Sequence, residues 1–338
     1  MTDNSYQKAR ESFQGLCHVC PTCGAMPCVG EAPGMGGLGT GRSFSANIQA
    51  LDACRLNMRV LHGVTQPETR MNLLGMDLAF PVLIAPLGDV SSSMGAQISE
   101  ETFLKDMLDG ALNSGIAGCT ADGGQEFICE AGFQTLRKVG GRGIPFLKPW
   151  NETELFRKID RAEALGVAAV GLDVDAVGLV ELQQQGRSVA PASPARLARI
   201  IRHTPLRCVV KGIMTPDEAC IAVDAGADAI VVSNYGGRVL EHTPGVAEVL
   251  PWIAEAVKGQ VRILAAGGVR SGADILKMLA LGADAVMIGR PFAIAALGSG
   301  RKGVEECARQ LKRELEQVMV LTGTMRVDAV SRSVLYVR

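Results

Sequence analysis

The 338-residue sequence is poor in aromatic residues, in net charge and in long apolar runs. Phe, Trp and Tyr make up 4% of it, and the formal net charge is −1. Lys and Arg are scattered, so nothing indicates a basic surface for nucleic acid or for an anionic membrane. No uninterrupted apolar stretch approaches the roughly 18 residues that a membrane span needs. Nucleic-acid-binding and membrane-spanning proteins are therefore disfavoured.

The amino terminus and the cysteines indicate where in the cell the protein is expected to be. The first residues, MTDNSYQKARESFQG, are polar and lack the apolar segment of a signal peptide. The 10 Cys fit a reducing compartment, where thiols serve as core residues, ligands or nucleophiles rather than as disulfides. We therefore expect a cytoplasmic protein without a membrane span, and we also expect a homo-oligomer.

Short β-branched apolar runs alternate with amphipathic stretches from about residue 80 onward. Near-continuous apolar strands with helices between them are typical of a parallel sheet that is buried on both faces. Eight such runs, with no Gly-x-Gly-x-x-Gly after the first, favour an α/β fold of the (β/α)₈ TIM-barrel type over an open doubly wound sheet. The predicted strands are 81–86, 115–121, 144–150, 168–175, 207–212, 228–234, 261–268 and 284–290.

The chain divides into a Cys-rich segment, 1–45, and a barrel, 46–338. The first segment is rich in Cys, Gly and Pro and has no amphipathic period, so we expect it to be irregular. Residues 46–80 are expected to cover the floor of the barrel. Helices are predicted over 98–115, 215–227 and 271–283, the last two with Thr215 and Ser271 as caps.

Barrels of this type carry their chemistry at the carboxyl ends of the strands. The residues at these ends are unusually polar, and we take them as candidate site residues: Lys148, Asp173, Asp175, Lys211, Ser233, Asn234 and Arg290. A lone Lys at the end of the apolar strand RCVVK either extends to solvent or is functional. At this end of a barrel, Lys211 could stabilise negative charge on a reduced flavin.

Glycine-rich loops follow the predicted strands seven and eight. Glycines let the backbone approach an anion closely, and the helix that opens at Ser271 directs free N–H groups toward it. These two loops are the usual phosphate site of the barrel, although ordinary tight turns would have the same composition. The predicted phosphate-binding residues are Gly267, Gly268, Arg270, Gly289 and Arg290.

Four segments together resemble the FMN-dependent 2-hydroxy-acid oxidase and dehydrogenase family, which includes glycolate and lactate oxidases. They are TRMNLLGMDLAFPVLIAP at 69–86, VVKGIMTPDEA, AGADAIVVSNYGGR and ILAAGGVRSGADILKMLALGADAVMIGRPF. The resemblance implies non-covalent FMN and the oxidation of a small 2-hydroxy acid to a 2-oxo acid.

The resemblance also implies individual roles. Lys211 would face the flavin N1/O2 edge, Ser233 would touch the ribityl chain or the ring, and Arg238 would hold the substrate carboxylate. Ala85 and Pro86 would lie against the ring. Lys148 would stand near the ring, at a position where the family commonly has Gln.

The sequence departs from the family at the residues that move protons. Tyr235 occupies the position of the catalytic His, and a phenol with an ordinary pKa of about 10 is a poor base at neutral pH. Ala266 replaces an Asp that would bind ribityl hydroxyls, and Asp173 replaces a Thr. The flavin site is therefore expected to be largely kept, whereas little or no oxidation of lactate or glycolate is expected.

Four cysteines, Cys17, Cys20, Cys23 and Cys28, read C-x2-C-x2-C-x4-C. Thiolates at this spacing can surround one metal centre, and either an iron–sulfur cluster or zinc would be satisfied. The alternative is a set of free thiols in a mobile tail.

Three functions remain open from the sequence. The chain could be an FMN-dependent oxidoreductase acting on a small organic acid, with an unknown electron acceptor or donor. It could instead be a reductase in which the cysteine centre feeds electrons to FMN and Tyr235 is the general acid. A third possibility is a flavin-binding protein that has lost hydroxy-acid oxidation.

Overall fold

Eight parallel strands pair in sequence order and close into a barrel. In this computed structural model, which describes residues 3–20, 23, 28 and 35–336, the last strand pairs with the first barrel strand through Val286 and Val82. The predicted (β/α)₈ barrel is confirmed, and each predicted strand is present. The strands are β1 Met71–Leu73, β2 Met76–Leu78, β3 Val82–Leu87, β4 Ala117–Thr120, β5 Ile144–Leu147, β6 Ala169–Asp173, β7 Arg207–Ile213, β8 Ala229–Val232, β9 Arg262–Ala265 and β10 Ala285–Ile288.

Helices cover the outside of the barrel and connect its strands. No helix within the described part of the chain is long and apolar enough to cross a membrane. The α-helices are α1 Asp3–Ser12, α2 Arg42–Ala53, α3 Val90–Met94, α4 Glu100–Asn113, α5 Glu126–Lys138, α6 Glu152–Ala164, α7 Val180–Gln184, α8 Pro194–Arg202, α9 Pro216–Asp224, α10 Val246–Val257, α11 Gly272–Leu281 and α12 Arg290–Thr322. As predicted, Thr215 caps α9 by accepting from Glu218 N, and Ser271 caps α11 by accepting from Asp274 N.

Alternate side chains of each strand pack inside and outside the barrel, as the pleat requires. In β8, for example, Val231 belongs to the interior cluster and Ile230 to the layer beneath the helices. The interior cluster also contains Leu73 and Leu78 of the β1–β2 hairpin. Arg207, the first residue of β7, donates to the carbonyl of Leu74, so the hairpin lies at the amino ends of the strands and closes the floor.

The amino-terminal segment contains a helix where the sequence analysis expects irregular structure. Helix α1 packs along α12: Ser12 Oγ donates to the carbonyl of Leu297, and Ser299 Oγ donates to Ser5 Oγ. Ala9 and Phe13 are fully buried in this contact. The helix is too short for a clear apolar period, and its packing partner lies at the other end of the chain.

The phosphate loop predicted from the sequence is fixed to the rest of the barrel by a close backbone contact. Gly272, at the start of α11, donates its N–H to Glu314 Oε2 at 2.9 Å. A Cβ at Gly272 would overlap the backbone nitrogen of Leu315 in α12. The contact therefore requires glycine and sets the position of the loop that precedes α11.

We expect Gly272→Ala to destabilise the protein by about 1–3 kcal/mol, because a methyl group at this crossing displaces backbone rather than a side-chain end. The measurement is the thermal unfolding midpoint. Gly63→Ala is the matched control, since a Cβ there meets nothing within 4 Å. Equal midpoints for both variants would show that α11 and α12 separate without cost.

Candidate functional site

One cavity of about 160 Å³ opens among the loops that follow the barrel strands. It collects residues that are far apart in the sequence, because the carboxyl ends of all eight strands meet at the same rim. The predicted candidate residues Asp173, Asp175 and Asn234 are buried or half-buried and are not among its lining residues. The residues predicted as catalytic or cofactor-binding line it: Ala85, Pro86, Lys148, Lys211, Ser233, Tyr235, Arg238, Gly267, Gly268, Arg270, Gly289 and Arg290.

Two buried arginines mark one end of the cavity. Arg270 Nη2 is buried and has no hydrogen-bond partner among the described residues. Arg290 donates its Nε to the carbonyl of Met35 at 2.8 Å and stacks on Phe44 at 4.1 Å. Burial, followed by repulsion from Arg270 and Arg238, lowers the pKa of Arg290 to about 9. This end of the cavity is thus electropositive and suited to an anion.

The glycines at this end bring the backbone close to the same space. Gly268 has a φ of 79°, which an L side chain rarely adopts, and a Cβ at Gly267 would lie 2.7 Å from Asn47 Oδ1. Both residues therefore need to be glycine for the β9–α11 loop to lie against α2. The amino end of α11 starts directly after this loop, at the anion-binding end of its dipole.

Lys211, in β7, lies between two carboxylates. Its Nζ is 2.9 Å from Asp173 Oδ1 and 3.4 Å from Asp175 Oδ1. Burial would lower the pKa of Lys211, but the two carboxylates raise it above its ordinary value, so the ammonium keeps its proton. Burial also raises the pKa of Asp175 to about 7, against the opposing effect of Lys211 and with support from Asp173. The cluster therefore includes a carboxyl group that can exchange a proton near neutral pH.

Tyr235 covers this cluster from the cavity side. Lys211 Nζ is 4.0 Å from the centre of the Tyr235 ring, and Tyr235 N donates to Ser233 Oγ at 3.2 Å. The φ of Tyr235 is 55°, a strained conformation for a bulky residue and one that concentrates at functional sites. Burial, then Asp173 and Asp175, raise the pKa of Tyr235 well above its ordinary value. The phenol is thus neutral at physiological pH and can donate a proton or a hydrogen bond.

Arg238 meets a carboxylate of the chain itself. It forms an ion pair with Glu181 of α7, which also lines the cavity. Because Arg238 is the residue predicted to hold a substrate carboxylate, a substrate would have to share this arginine with Glu181 or replace it. Glu181 lies inside the long β6–α8 connection, and no sequence pattern distinguishes it from an ordinary exposed residue.

Asp122 is a second buried residue that the sequence analysis did not identify. It accepts hydrogen bonds from Trp150 Nε1, from the backbone N–H of Lys148 and from Lys158 Nζ, the last at 2.9 Å. Lys148 Nζ donates to the Asp122 carbonyl. Asp122 follows β4 by two residues, so it could have been predicted from its place at the carboxyl end of a barrel strand. Trp150 points into this network and is not among the cavity-lining residues.

Comparison with known proteins identifies the family. A family model described as FMN-dependent dehydrogenase matches residues 34–195 and 181–337. The chain belongs to this family. An L-lactate oxidase of Lactobacillus jensenii is 31% identical over 310 residues, which is 85% of this chain and 76% of that protein.

Solved structures of FMN-dependent dehydrogenase relatives agree with this assignment. A mandelate oxidase with (S)-4-hydroxymandelic acid has a TM-score of 0.82 at 27% identity, over 98% of this chain and 97% of that one. A mandelate oxidase variant with a C4a-OH-FMN adduct has a TM-score of 0.77 at 28% identity, over 99% of both chains. The chain is thus an FMN-dependent oxidoreductase.

The residues of the cavity fit FMN. Nη2 of Arg270, which has no partner among the described residues, and the buried guanidinium of Arg290 are suited to an anion, and they would hold the phosphate of FMN. Ala266 and Ser233 line the cavity between this end and Lys211, where the ribityl chain and the ring would lie. Ala266 brings no carboxylate to this stretch, so FMN would rely more heavily on the contacts of its phosphate.

The four cysteines share a second cavity, of about 320 Å³, with Arg270 and Arg290. Burial, followed by Cys28 and Cys23, raises the pKa of Cys17 to about 11. Across residues 3–20, 23, 28 and 35–336, no group of three or more His, Cys, Asp or Glu is arranged to hold a metal ion. The predicted metal site at Cys17, Cys20, Cys23 and Cys28 therefore has no support from this geometry. Instead, the cysteines line a cavity together with Arg270 and Arg290.

We expect Arg270→Ala to weaken FMN binding roughly tenfold to a hundredfold, because a charge-assisted hydrogen bond to phosphate contributes about 1.5–3 kcal/mol. Titration of the flavin-free protein with FMN, followed by quenching of flavin fluorescence, gives the dissociation constant. Arg262→Ala is the control, since that arginine is exposed at the opposite end of β9. Unchanged affinity in Arg270→Ala would move the phosphate site elsewhere.

Proposed function

We propose that the protein oxidises a small 2-hydroxy acid to the corresponding 2-oxo acid. The observation that carries the proposal is the convergence of Arg238, Lys211 and Tyr235 on the cavity that also contains the phosphate end. The guanidinium of Arg238 can hold a carboxylate through two parallel hydrogen bonds. The names of the relatives support the substrate class, because lactate and mandelate are both 2-hydroxy acids.

Lys211 supplies a fixed positive charge at the reacting end of the cavity. The chemistry that FMN brings when bound is the acceptance of the two electrons released by the substrate carbon. Lys211 is protonated and is held in place by Asp173 and Asp175, so its charge needs no reorganisation during the reaction. Such a preorganised cation stabilises negative charge that develops beside it.

The hydroxyl proton of the substrate needs an acceptor. Tyr235 is neutral and cannot accept a proton without releasing its own. Asp173 and Asp175 both contact Lys211 Nζ, which is 4.0 Å from the centre of the Tyr235 ring, and the pKa of Asp175, about 7, is matched to a base at neutral pH. We propose that the phenol oxygen of Tyr235 accepts the substrate proton while its own proton passes to Asp175. This relay would replace the missing histidine.

The opposite direction is the second candidate. A neutral Tyr235 could donate its proton to the oxygen of a 2-oxo acid, and Asp175 in its protonated form would resupply it. The raised pKa of Tyr235 favours this reading, since a stronger hold on the proton keeps the acid form available over a wide pH range. The two directions require opposite protonation states of Asp175, so their pH dependences differ in sign.

For oxidation, we expect the rate of flavin reduction by a 2-hydroxy acid to rise as pH increases through about 7, where Asp175 loses its proton. In Asp175→Asn this rise should disappear, and the rate should fall about a hundredfold to ten-thousandfold, the usual contribution of a general base. Rapid mixing under anaerobic conditions, followed by the loss of flavin absorbance, measures the rate.

Two variants make this test specific. Asp224→Asn, at the exposed end of α9, controls for the loss of one carboxylate. Tyr235→Phe should lose the reaction while keeping the protonation of Asp175, because the ring remains and the relay oxygen is removed. A parent rate that falls as pH rises through about 7 would instead favour the reductive direction. An unaltered pH profile in Asp175→Asn would assign the proton to another group.

We further propose that the four cysteines bind a metal centre that exchanges electrons with the flavin. The proposal rests on their spacing and on the cavity that they share with Arg270. Metal binding by thiolates is coupled to folding, so ligation would bring the thiols together. A cytoplasmic location, a homo-oligomer and the nature of the electron partner stay predictions from the sequence.

If the cysteines act as one site, each single Cys→Ser change at Cys17, Cys20, Cys23 or Cys28 should remove the metal while FMN stays bound. Thiolate ligation couples metal binding to local folding, so protease sensitivity of the amino-terminal segment should increase in the same variants. Metal analysis of anaerobically purified protein measures the loss, with Cys220→Ser, an exposed cysteine on α9, as the control. A parent protein without stoichiometric metal would refute the site.

A further inference from the structure

The loop after β3 carries an aspartate whose side chain has no structural task. Asp89 precedes α3 and has φ 57° and ψ 51°. An Asp at this position normally caps the helix with its side chain, but the Asp89 carboxylate makes no capping hydrogen bond. Glu100 takes over that function, because its carboxylate accepts from Asp89 N at 3.1 Å and from Val90 N at 2.9 Å. The Asp89 carboxylate is thereby left available to the cavity, which it lines.

Two residues that line the cavity each carry a buried acceptor oxygen without a donor among the described residues. Oδ1 of Asp89 and Oε1 of Gln185 have no hydrogen-bond partner within the described ranges of the chain. Gln185 directly follows α7, and a Cβ at Gly124 would overlap its Oε1, so this amide lies closely against the β4–α5 loop. Leaving such a group unsatisfied costs about 1–3 kcal/mol, and more for a charged one. A bound ligand with donor groups would remove that cost.

The lysines of the cavity wall are engaged elsewhere. Lys148 Nζ donates to the Asp122 carbonyl, and Lys211 Nζ lies between Asp173 and Asp175. The cavity therefore has an electropositive end at Arg270, which needs an anion, and a second region with acceptors that need donors.

We propose that Asp89 and Gln185 select a 2-hydroxy acid whose side chain carries a hydrogen-bond donor, either a hydroxyl or an ammonium group. This inference rests on the proposed function, since Arg238 would hold the carboxylate and leave the side chain to face these acceptors. An apolar alkyl or aryl side chain would bury both oxygens without a partner. Discrimination of this kind is strong because the penalty falls on the substrate that lacks the donor.

The first test compares substrates that differ by one donor. Glycerate is lactate with one added hydroxyl, and 3-amino-2-hydroxypropanoate carries an ammonium at the same place. We expect kcat/KM for glycerate to exceed that for lactate roughly tenfold to a hundredfold in the FMN-loaded protein, the range of a hydrogen bond to a charged group. If lactate and glycerate are oxidised equally well, the inference is wrong while the proposed function stands.

The second test removes the acceptors without disturbing the backbone. Asp89→Gly suits the positive φ and deletes the carboxylate. The ratio of kcat/KM for glycerate to kcat/KM for lactate should therefore fall toward one, while lactate is still oxidised. Asp89→Asn keeps an acceptor oxygen but no charge, so it should retain the hydroxyl preference and lose any ammonium preference. Gln185→Leu should reduce the preference, whereas Gln183→Leu, at an exposed position of α7, is the control.

The third test is independent of turnover. Hydroxypyruvate and pyruvate differ by the same hydroxyl, and their binding can be followed through changes in the flavin spectrum. We expect hydroxypyruvate to bind more tightly in the parent and equally in Asp89→Gly. If this holds while neither hydroxy acid reduces the flavin, the oxidation proposal fails and the inference stands.

One competing donor is FMN itself, because the isoalloxazine ring carries an N3–H. If Asp89 served the cofactor, Asp89→Gly would raise the FMN dissociation constant and leave the ratio of hydroxypyruvate to pyruvate affinity unchanged. That result would overturn the inference. If the FMN affinity is unchanged and Asp89→Gly binds hydroxypyruvate and pyruvate equally, the inference is supported.

Discussion

The pairing of β10 with β3 is the constraint on which the site depends. By closing the sheet, it brings the carboxyl ends of the first and last strands together, although Val82 and Val286 are separated by most of the barrel sequence. Ala85 at the end of β3 and Gly289 after β10 consequently line the same cavity. A sheet left open at this seam would separate Ala85 from the glycine loops after β9 and β10.

Charge is distributed along the cavity in an ordered way. At the end of the cavity that holds Arg270 and Arg290, Nη2 of Arg270 has no hydrogen-bond partner among the described residues. The Lys211 cluster pairs one ammonium with Asp173 and Asp175, and Asp89 and Gln185 each carry an acceptor oxygen that has no donor in the described part of the chain. Burying unpaired groups is unfavourable, and such groups are kept where ligands complete them. The pattern of unmet hydrogen bonds thus outlines a molecule that is anionic at one end and rich in donors at another.

Features set by neighbouring residues could be predicted from the sequence. The strands follow from short apolar runs, and the helix starts at Thr215 and Ser271 follow from local capping. The position of Lys211 and of the glycine loops follows from the rule that a barrel carries its chemistry at the carboxyl ends of its strands. The rule holds because closure of the barrel brings all of these ends to one rim.

Contacts between distant parts of the chain could not be predicted in this way. Helix α1 depends on α12, and the ion pair of Arg238 with Glu181 joins two loops whose approach only the fold determines. The absence of a capping hydrogen bond from the Asp89 side chain to α3 is a similar case. Its sequence position before a helix indicates a cap, and only the approach of Glu100 shows that the capping role is already filled.

The packing of α1 on α12 also changes the chemistry open to the cysteines. Helix α1 ends just before Cys17, and α2 begins after Cys28, with α1 fixed to α12 and α2 lying against the β9–α11 loop. The thiols between them are thus tethered at both ends. Tethering of this kind gives an effective concentration on the order of millimolar, independent of how dilute the protein is. Once an oxidant has converted one of these thiols to a sulfenic acid, attack by a neighbouring thiol of the same chain would outcompete attack by a thiol of another protein molecule.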